Sequence, residues 1–219
     1  NQAACRGDVA SLRSFPPMDL LGRHSNKDGG GDGDGNGDDE NTPLIWAAEH
    51  GHIDAVRYIL QTISTIDTDI DIHIHNYINH RGYLGATALS RAARHNHVHV
   101  LHALLNSTPT LPPTTQTISI VVRRANPDIP NYKLQYPLHI AAFHGNKEAV
   151  ELLLKFTGDD DGDGIGRGGG GGTNVNVLNR KGRRPDDDTD DDCIKKMIVA
   201  ARESGRWVLG IGDLGETNV

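Results

Sequence analysis

The chain has 219 residues, 36% of them hydrophobic and 5% aromatic, with 26 glycines and a formal net charge of −7. That length allows one domain or two small ones, and the composition fits a modest core interrupted by low-complexity insertions better than a single compact globule. No apolar run approaches the ~20 residues that span a bilayer, no signal-peptide pattern opens the chain, and the distant Cys5 and Cys193 form neither a disulfide framework nor a metal pair.

Cysteine usage of this kind fits a reducing compartment, so an intracellular setting, cytoplasmic or nuclear, is expected. The chain opens on Asn1 rather than Met and reads as a slice of a longer protein. Its acidity is uneven. Residues 25–40 hold six acids and one lysine, 157–172 four acids and one arginine, and 186–192 six acids; the remainder is net basic.

Taken in chain order, residues 1–16 begin with Ala3-Ala4-Cys5-Arg6-Gly7-Asp8-Val9. The same Ala-Ala-x-x-Gly register returns in three segments that align without gaps: NTPLIWAAEHGHIDAVRYIL at 41–60, ATALSRAARHNHVHVLHALL at 86–105 and QYPLHIAAFHGNKEAVELLL at 135–154. Pro43 and Pro137 suit the first turn of a helix, where a missing N–H costs nothing. The alanine pairs let neighbouring helices approach closely. Gly51, Asn96 and Gly145 follow in one register, and these residue types tolerate the left-handed backbone that ends a helix. A second helix then carries a stripe at Ile53, Val56, Ile59 and Leu60, and again at Val98, Leu101, Leu104 and Leu105. Each such side chain, fully buried, contributes roughly 1.5–3 kcal/mol. One helix pair cannot bury the stripe alone, so the units must stack. The last segment, 176–204, opens with NVLNRKGRRP, places Arg184 where a threonine stands elsewhere and Asp186 where a buried leucine belongs, then supplies an apolar helix through Cys193, Ile194, Met197, Ile198, Ala200 and Ala201.

These segments resemble the ankyrin repeat, whose core signature is T-P-L-H-x-A-A followed by G-H and an apolar helix. Tyr136-Pro137-Leu138-His139-Ile140-Ala141-Ala142 comes within one residue of it. The resemblance implies an all-α ankyrin-repeat solenoid of helix-turn-helix units in one domain over 1–219. Units at 41–61, 86–106 and 135–156 are clear, a degenerate unit occupies 1–16, and a degenerate cap occupies 176–204. It implies that His52, His97 and His139 hydrogen-bond to backbone. It further implies a non-catalytic protein-interaction module, a eukaryotic scaffold or adaptor segment, monomeric and without a cofactor. Successive units are 44, 45, 49 and 48 residues apart, against a usual period of about 33. The surplus falls at 17–40, 61–78, 106–127 and 157–175, so the finger loops are lengthened.

The insertions carry motifs of other chemistries in incomplete form. Asp32-Gly33-Asp34-Gly35-Asn36-Gly37 begins like an EF-hand loop, but its twelfth position is Pro43, not a bidentate acid. Asp159 to Gly164 likewise meets Gly170. Gly164 to Gly169 fits G-x-G-x-x-G without the strand and helix that the fingerprint needs. Both acidic tracts read as solvated linkers. Alternation of Ile66, Thr68, Ile70, Ile72 and Ile74 with acids and histidines, and the TISIVV run at 117–122, suggest extended β-hairpin fingers. Twelve histidines raise zinc, yet no closed four-ligand set stands out. Arg123, Arg124, Arg180, Lys181, Arg183 and Arg184 raise nucleic acid, which the acidic total and the adjacent run at 186–192 argue against. No nucleophile sits with a base at a recognisable motif; a targeting segment of a larger enzyme is the remaining alternative.

By register, the partner-facing positions implied by the resemblance are Glu49 and His50, Arg94 and His95, and Phe143 and His144 on the inner helices. On the turns they are Tyr83, Leu84 and Ala86, then Tyr132, Lys133 and Gln135. Tyr83, Tyr132 and Phe143 are aromatics where the fold needs none, and aromatics beside arginine make hot spots. Arg91 stands out, because its register holds Trp46 and Ile140 elsewhere; it reaches toward a partner or toward an acid.

Overall fold

The computed structural model describes residues 1–20, 41–64, 77–106, 124–156 and 173–204. The proposed hairpins at 66–74 and 117–122, the calcium-like stretches at 32–43 and 159–170, and the glycine fingerprint at 164–169 lie outside the described residues.

Ten helices occur among the described residues: α1 (Gln2–Arg6), α2 (Val9–Arg13), α3 (Pro17–Leu20), α4 (Pro43–Glu49), α5 (Ile53–Ser64), α6 (Ala88–Arg94), α7 (Val98–Leu105), α8 (Pro137–Phe143), α9 (Lys147–Lys155) and α10 (Asp192–Ser204). Two 3₁₀ turns, Tyr83–Gly85 and Pro185–Asp187, accompany them, residues 77–78 are also helical, and there is no strand among these residues. The inner row runs α1, α4, α6, α8 and the Pro185–Asp187 turn, each packed on the next. The outer row runs α2, α5, α7, α9 and α10 in the same way. One hydrophobic core runs through both rows.

Local signals explain where the inner helices start and stop. Thr42 and Thr87 accept hydrogen bonds from the amides of Ile45 and Ser90, at 3.3 and 3.2 Å, satisfying a donor left open by the first turn. Tyr136 takes the same position with no such cap, and Pro137 follows at the first turn, as Pro43 does in α4. The chain then reverses through Gly51, Asn96 and Gly145 at φ of 74°, 56° and 70°, in keeping with the residue types.

The outer stripe differs from its expected line. In α5 the fully buried residues are Ala55, Val56, Ile59 and Ile63, whereas Ile53 and Leu60 are only half-buried. The helix continues to Ser64, so its buried line extends one turn further and turns toward α2 and α7 together. In α7 the line is Val100, Leu101, Leu104 and Leu105, with Val98 at its edge.

All four segments assigned to insertions contribute to the core, the later two through Ala125 and Val175. Leu20 at the end of α3 is buried, as are Tyr77 and Ile78, and the Tyr77 hydroxyl donates to the Leu20 carbonyl at 2.6 Å. The insertion bases are pinned in a repeated way. Ala125 N–H donates to the Leu104 carbonyl at 2.9 Å, and the Thr173 hydroxyl donates to the Leu153 carbonyl at 2.8 Å, on equivalent turns of α7 and α9.

Candidate functional site

The turns that precede the inner helices stand beside one another and are laced together. Tyr83 N–H donates to Asn41 Oδ1 at 3.0 Å, Tyr132 N–H to the Leu84 carbonyl at 3.1 Å, and Arg180 N–H to the Lys133 carbonyl at 3.3 Å. A second rung repeats at the start of each turn: Asn126 N–H donates to Asn79 Oδ1 at 2.8 Å and Asn174 N–H to Asp128 Oδ1 at 2.9 Å. Within the turns, Asn131 Oδ1 accepts from Lys133 and Gln135, and Asn179 Oδ1 accepts from Lys181 and Arg183. These side chains replace sheet pairing, so short irregular tips hold a fixed geometry.

On those tips Tyr83, Leu84 and Tyr132 are 44%, 48% and 54% exposed. Lys133 is exposed, Gln135 is half-buried with its side-chain oxygen accepting from Asn131 Nδ2, and Ala86 is buried. The Arg81 guanidinium lies over the Tyr132 ring, 4.9 Å from its centroid. Along the inner row, Phe143 is 62% exposed and meets His144 edge-on at 5.3 Å. Arg94 and His95 are exposed at the end of α6, and His50 is exposed at the end of α4 with its Nδ1 3.0 Å from the Trp46 carbonyl.

Burial lowers the pKa of His95, more than the nearby Glu49 carboxylate at 4.0 Å raises it. His144 is lowered by burial and then by Arg94. Both imidazoles are therefore chiefly neutral near pH 7.

Glu49 is less a free contact than the structural partner of Arg91. The Arg91 Nη1 donates to Glu49 Oε1 at 3.0 Å and its Nη2 to the Tyr83 carbonyl at 3.2 Å, with the arginine only 8% exposed. The acid that Arg91 reaches thus comes from the preceding unit. His52 and His97 donate through Nε2 to the Cys5 and Glu49 carbonyls at 2.9 and 3.0 Å, and His139 to the Arg183 carbonyl at 3.0 Å. These histidines bridge units. Among the described residues no group of three or more His, Cys, Asp or Glu is placed to hold a metal ion, and no helix is long and apolar enough to cross a membrane.

Two tip residues were not singled out by sequence. Leu134 is 44% exposed with φ of 56°, and Arg81 covers Tyr132. Leu134 was legible in principle, since it shares a register with Glu40, Gly85 and Gly182 and is the one apolar side chain there.

The stacked helix pairs, their hydrogen-bonded turns and the histidine bridges define a repeat solenoid. A family model for ankyrin repeats in three copies matches residues 3–116, and a single-repeat model matches 134–161. The chain belongs to the ankyrin-repeat family. A chain in the crystal structure of the yeast ribosomal protein Rps3 in complex with its chaperone Yar1 is similar at 25% identity and a TM-score of 0.52, covering 70% of this chain and 87% of that one. No curated protein matches.

Proposed function

We propose that this chain is a non-catalytic protein-interaction module, a scaffold or adaptor segment. A protein partner lies across the turn tips and the exposed ends of the inner helices. The observation that carries this reading is the row of solvent-facing apolar side chains, Tyr83, Leu84, Tyr132 and Phe143, on adjacent units of a rigid stack. Each stays 44–62% exposed among the described residues, and aromatic side chains on a preformed surface are the usual anchors of an interface. The family supports a protein-binding repeat. The similar fold in a complex of a ribosomal protein with its chaperone adds a case in which such a fold occurs with a protein client. A monomer in an intracellular setting is part of the same reading.

Cross-linked capture from source-cell extract, wild type beside Tyr132→Ala/Phe143→Ala/His144→Ala, tests it. Circular dichroism of both proteins separates lost binding from lost fold. A protein retained by the wild type and lost by the folded triple variant is the expected outcome. Equal capture by both would move the interface away from these residues.

A further inference from the structure

We propose that the turn tips take an acidic polypeptide segment bearing aliphatic or aromatic side chains, laid across the turns of residues 81–86, 131–136 and 179–184. The proposal rests on the protein-binding reading above and specifies the partner's chemistry.

Three observations converge on it. Four large apolar side chains, Tyr83, Leu84, Tyr132 and Leu134, are 44–54% exposed on two turns joined by the Tyr132 to Leu84 hydrogen bond. Two of them also sit on unfavourable backbone. Leu84 and Leu134 hold φ of 58° and 56°, while Gly85 and Gly182 occupy the Leu134 register at 74° and 71°. Glycine adopts that conformation freely and leucine does not. A leucine turned to solvent at such a position does little for the free fold, and strain of this kind collects at binding sites.

The third observation is charge. Arg81, Arg94, Lys133, Arg180, Lys181 and Arg184 are all exposed, and none of them is ion-paired among the described residues. Among the acids near the tips, the exposed Asp187 carboxylate accepts the Arg184 backbone N–H at 2.9 Å, and three others hold arginines. Glu49 holds Arg91, Asp188 holds Arg183, and Asp186 holds Arg202. Asp54, Glu148 and Glu151 belong to the outer helices. The tips therefore present positive charge interleaved with apolar anchors, which complements an acidic segment and steers its approach. Tyrosines beside arginines would also stack bases. Two strained leucines, however, offer nothing to a phosphate or a base edge and fit a side chain instead.

Fluorescence anisotropy tests the proposal with three short labelled peptides and a single-stranded oligonucleotide. One peptide interleaves glutamate with leucine and tryptophan, one replaces each glutamate by lysine, and one replaces each apolar residue by serine. The first is expected to bind at least about tenfold tighter than the others, the size of one hot-spot contact, and to weaken as salt rises. Leu134→Gly should lower that affinity about tenfold while the melting temperature holds or rises, and Lys133→Glu/Arg180→Glu should lower it as far. A loss of binding without a loss of stability is what a merely structural role for Leu134 would not produce.

Preference for the lysine peptide or the oligonucleotide, or unchanged affinity in Leu134→Gly, overturns the proposal. If no peptide binds yet the triple variant still loses a captured protein, this partner chemistry falls and the interaction module stands. If both experiments are blank, both fall.

Discussion

Gly51 shows how closely one residue is fitted to the next unit. Its φ is 74°, and a β-carbon there would come within 2.7 Å of the His97 ring. Gly7 meets His52 in the same way. At the third junction the residue is Asn96, which does carry a β-carbon, and the position facing it holds Asn146 rather than histidine. Asn146 Nδ2 donates to the Ala93 and Arg94 carbonyls at 2.8 Å each, so the smaller amide performs the bridge that the imidazole performs elsewhere. Gly145, by contrast, has φ of 70°, and a β-carbon there would meet nothing within 4 Å. Gly145→Ala should cost about 1 kcal/mol for the backbone alone, and Gly51→Ala should cost about 1–2 kcal/mol more because His97 must move. Equal shifts in urea midpoint would show that the His97 ring gives way freely.

Arg91 belongs at the same scale. Removing Glu49 leaves a buried guanidinium with the Tyr83 carbonyl alone, so Glu49→Ala should destabilise by about 1–3 kcal/mol, the lower end reflecting a carboxylate still 21% exposed. Arg91→Leu restores the apolar register of Trp46 and Ile140 and should be milder, since replacing a buried ion pair with apolar packing is often neutral. A thermal melt of each variant decides between them.

At the scale of the element, the pairing of an inner with an outer helix was readable because each unit repeats its own punctuation. Threonine or proline opens the inner helix, an alanine pair fills it, and a glycine or asparagine ends it. What escaped was anything set by a neighbour more than forty residues away. The buried line of α5 shifted because α2 and α7 contact it from two sides, and Glu49, at a partner-facing register, is engaged by Arg91 of the following unit. The tips were legible as positions and their geometry was not, since side-chain rungs such as Asn79 to Asn126 depend on which turns become adjacent.

The last inner element is short, and His139 ties it down. The imidazole is fully buried, donates to the Arg183 carbonyl, stacks at a tilt 5.7 Å from the Tyr136 ring, and faces the acids Asp186, Asp187 and Asp188. Burial depresses its pKa below the ordinary 6.5, outweighing the Arg183 carbonyl and the three acids, which act the other way. Below pH 6.5 the unfolded chain gains a proton that the folded chain resists. Stability from this site is therefore complete above that pH and is lost as pH falls through the depressed value. His139→Gln should flatten that part of the stability–pH curve between pH 7 and 5, measured by urea titration; an unchanged slope would place the acid sensitivity elsewhere.

For the whole molecule, the described helices pack chiefly on those of neighbouring units, so a local loss should stay local before it spreads. Ile198 is fully buried on α10, which packs on α9. Ile198→Ala should cost about 2–5 kcal/mol and accelerate amide exchange in α10 and α9 well before α4 and α5. Uniform acceleration along the chain would mean that the stack unfolds as one cooperative body.

The hydrogen bonds that close the insertion bases have a practical consequence. Ala125 grips the Leu104 carbonyl and Thr173 grips the Leu153 carbonyl at matching turns of α7 and α9, so each insertion leaves and rejoins the stack at a pinned base. The spacing of neighbouring units is thus held at the insertion bases, by bonds to the outer helices themselves. A reporter domain or an affinity tag grafted into 107–123 or 157–172 would be carried as cargo on a fixed frame, and the same frame would accept grafts of very different size.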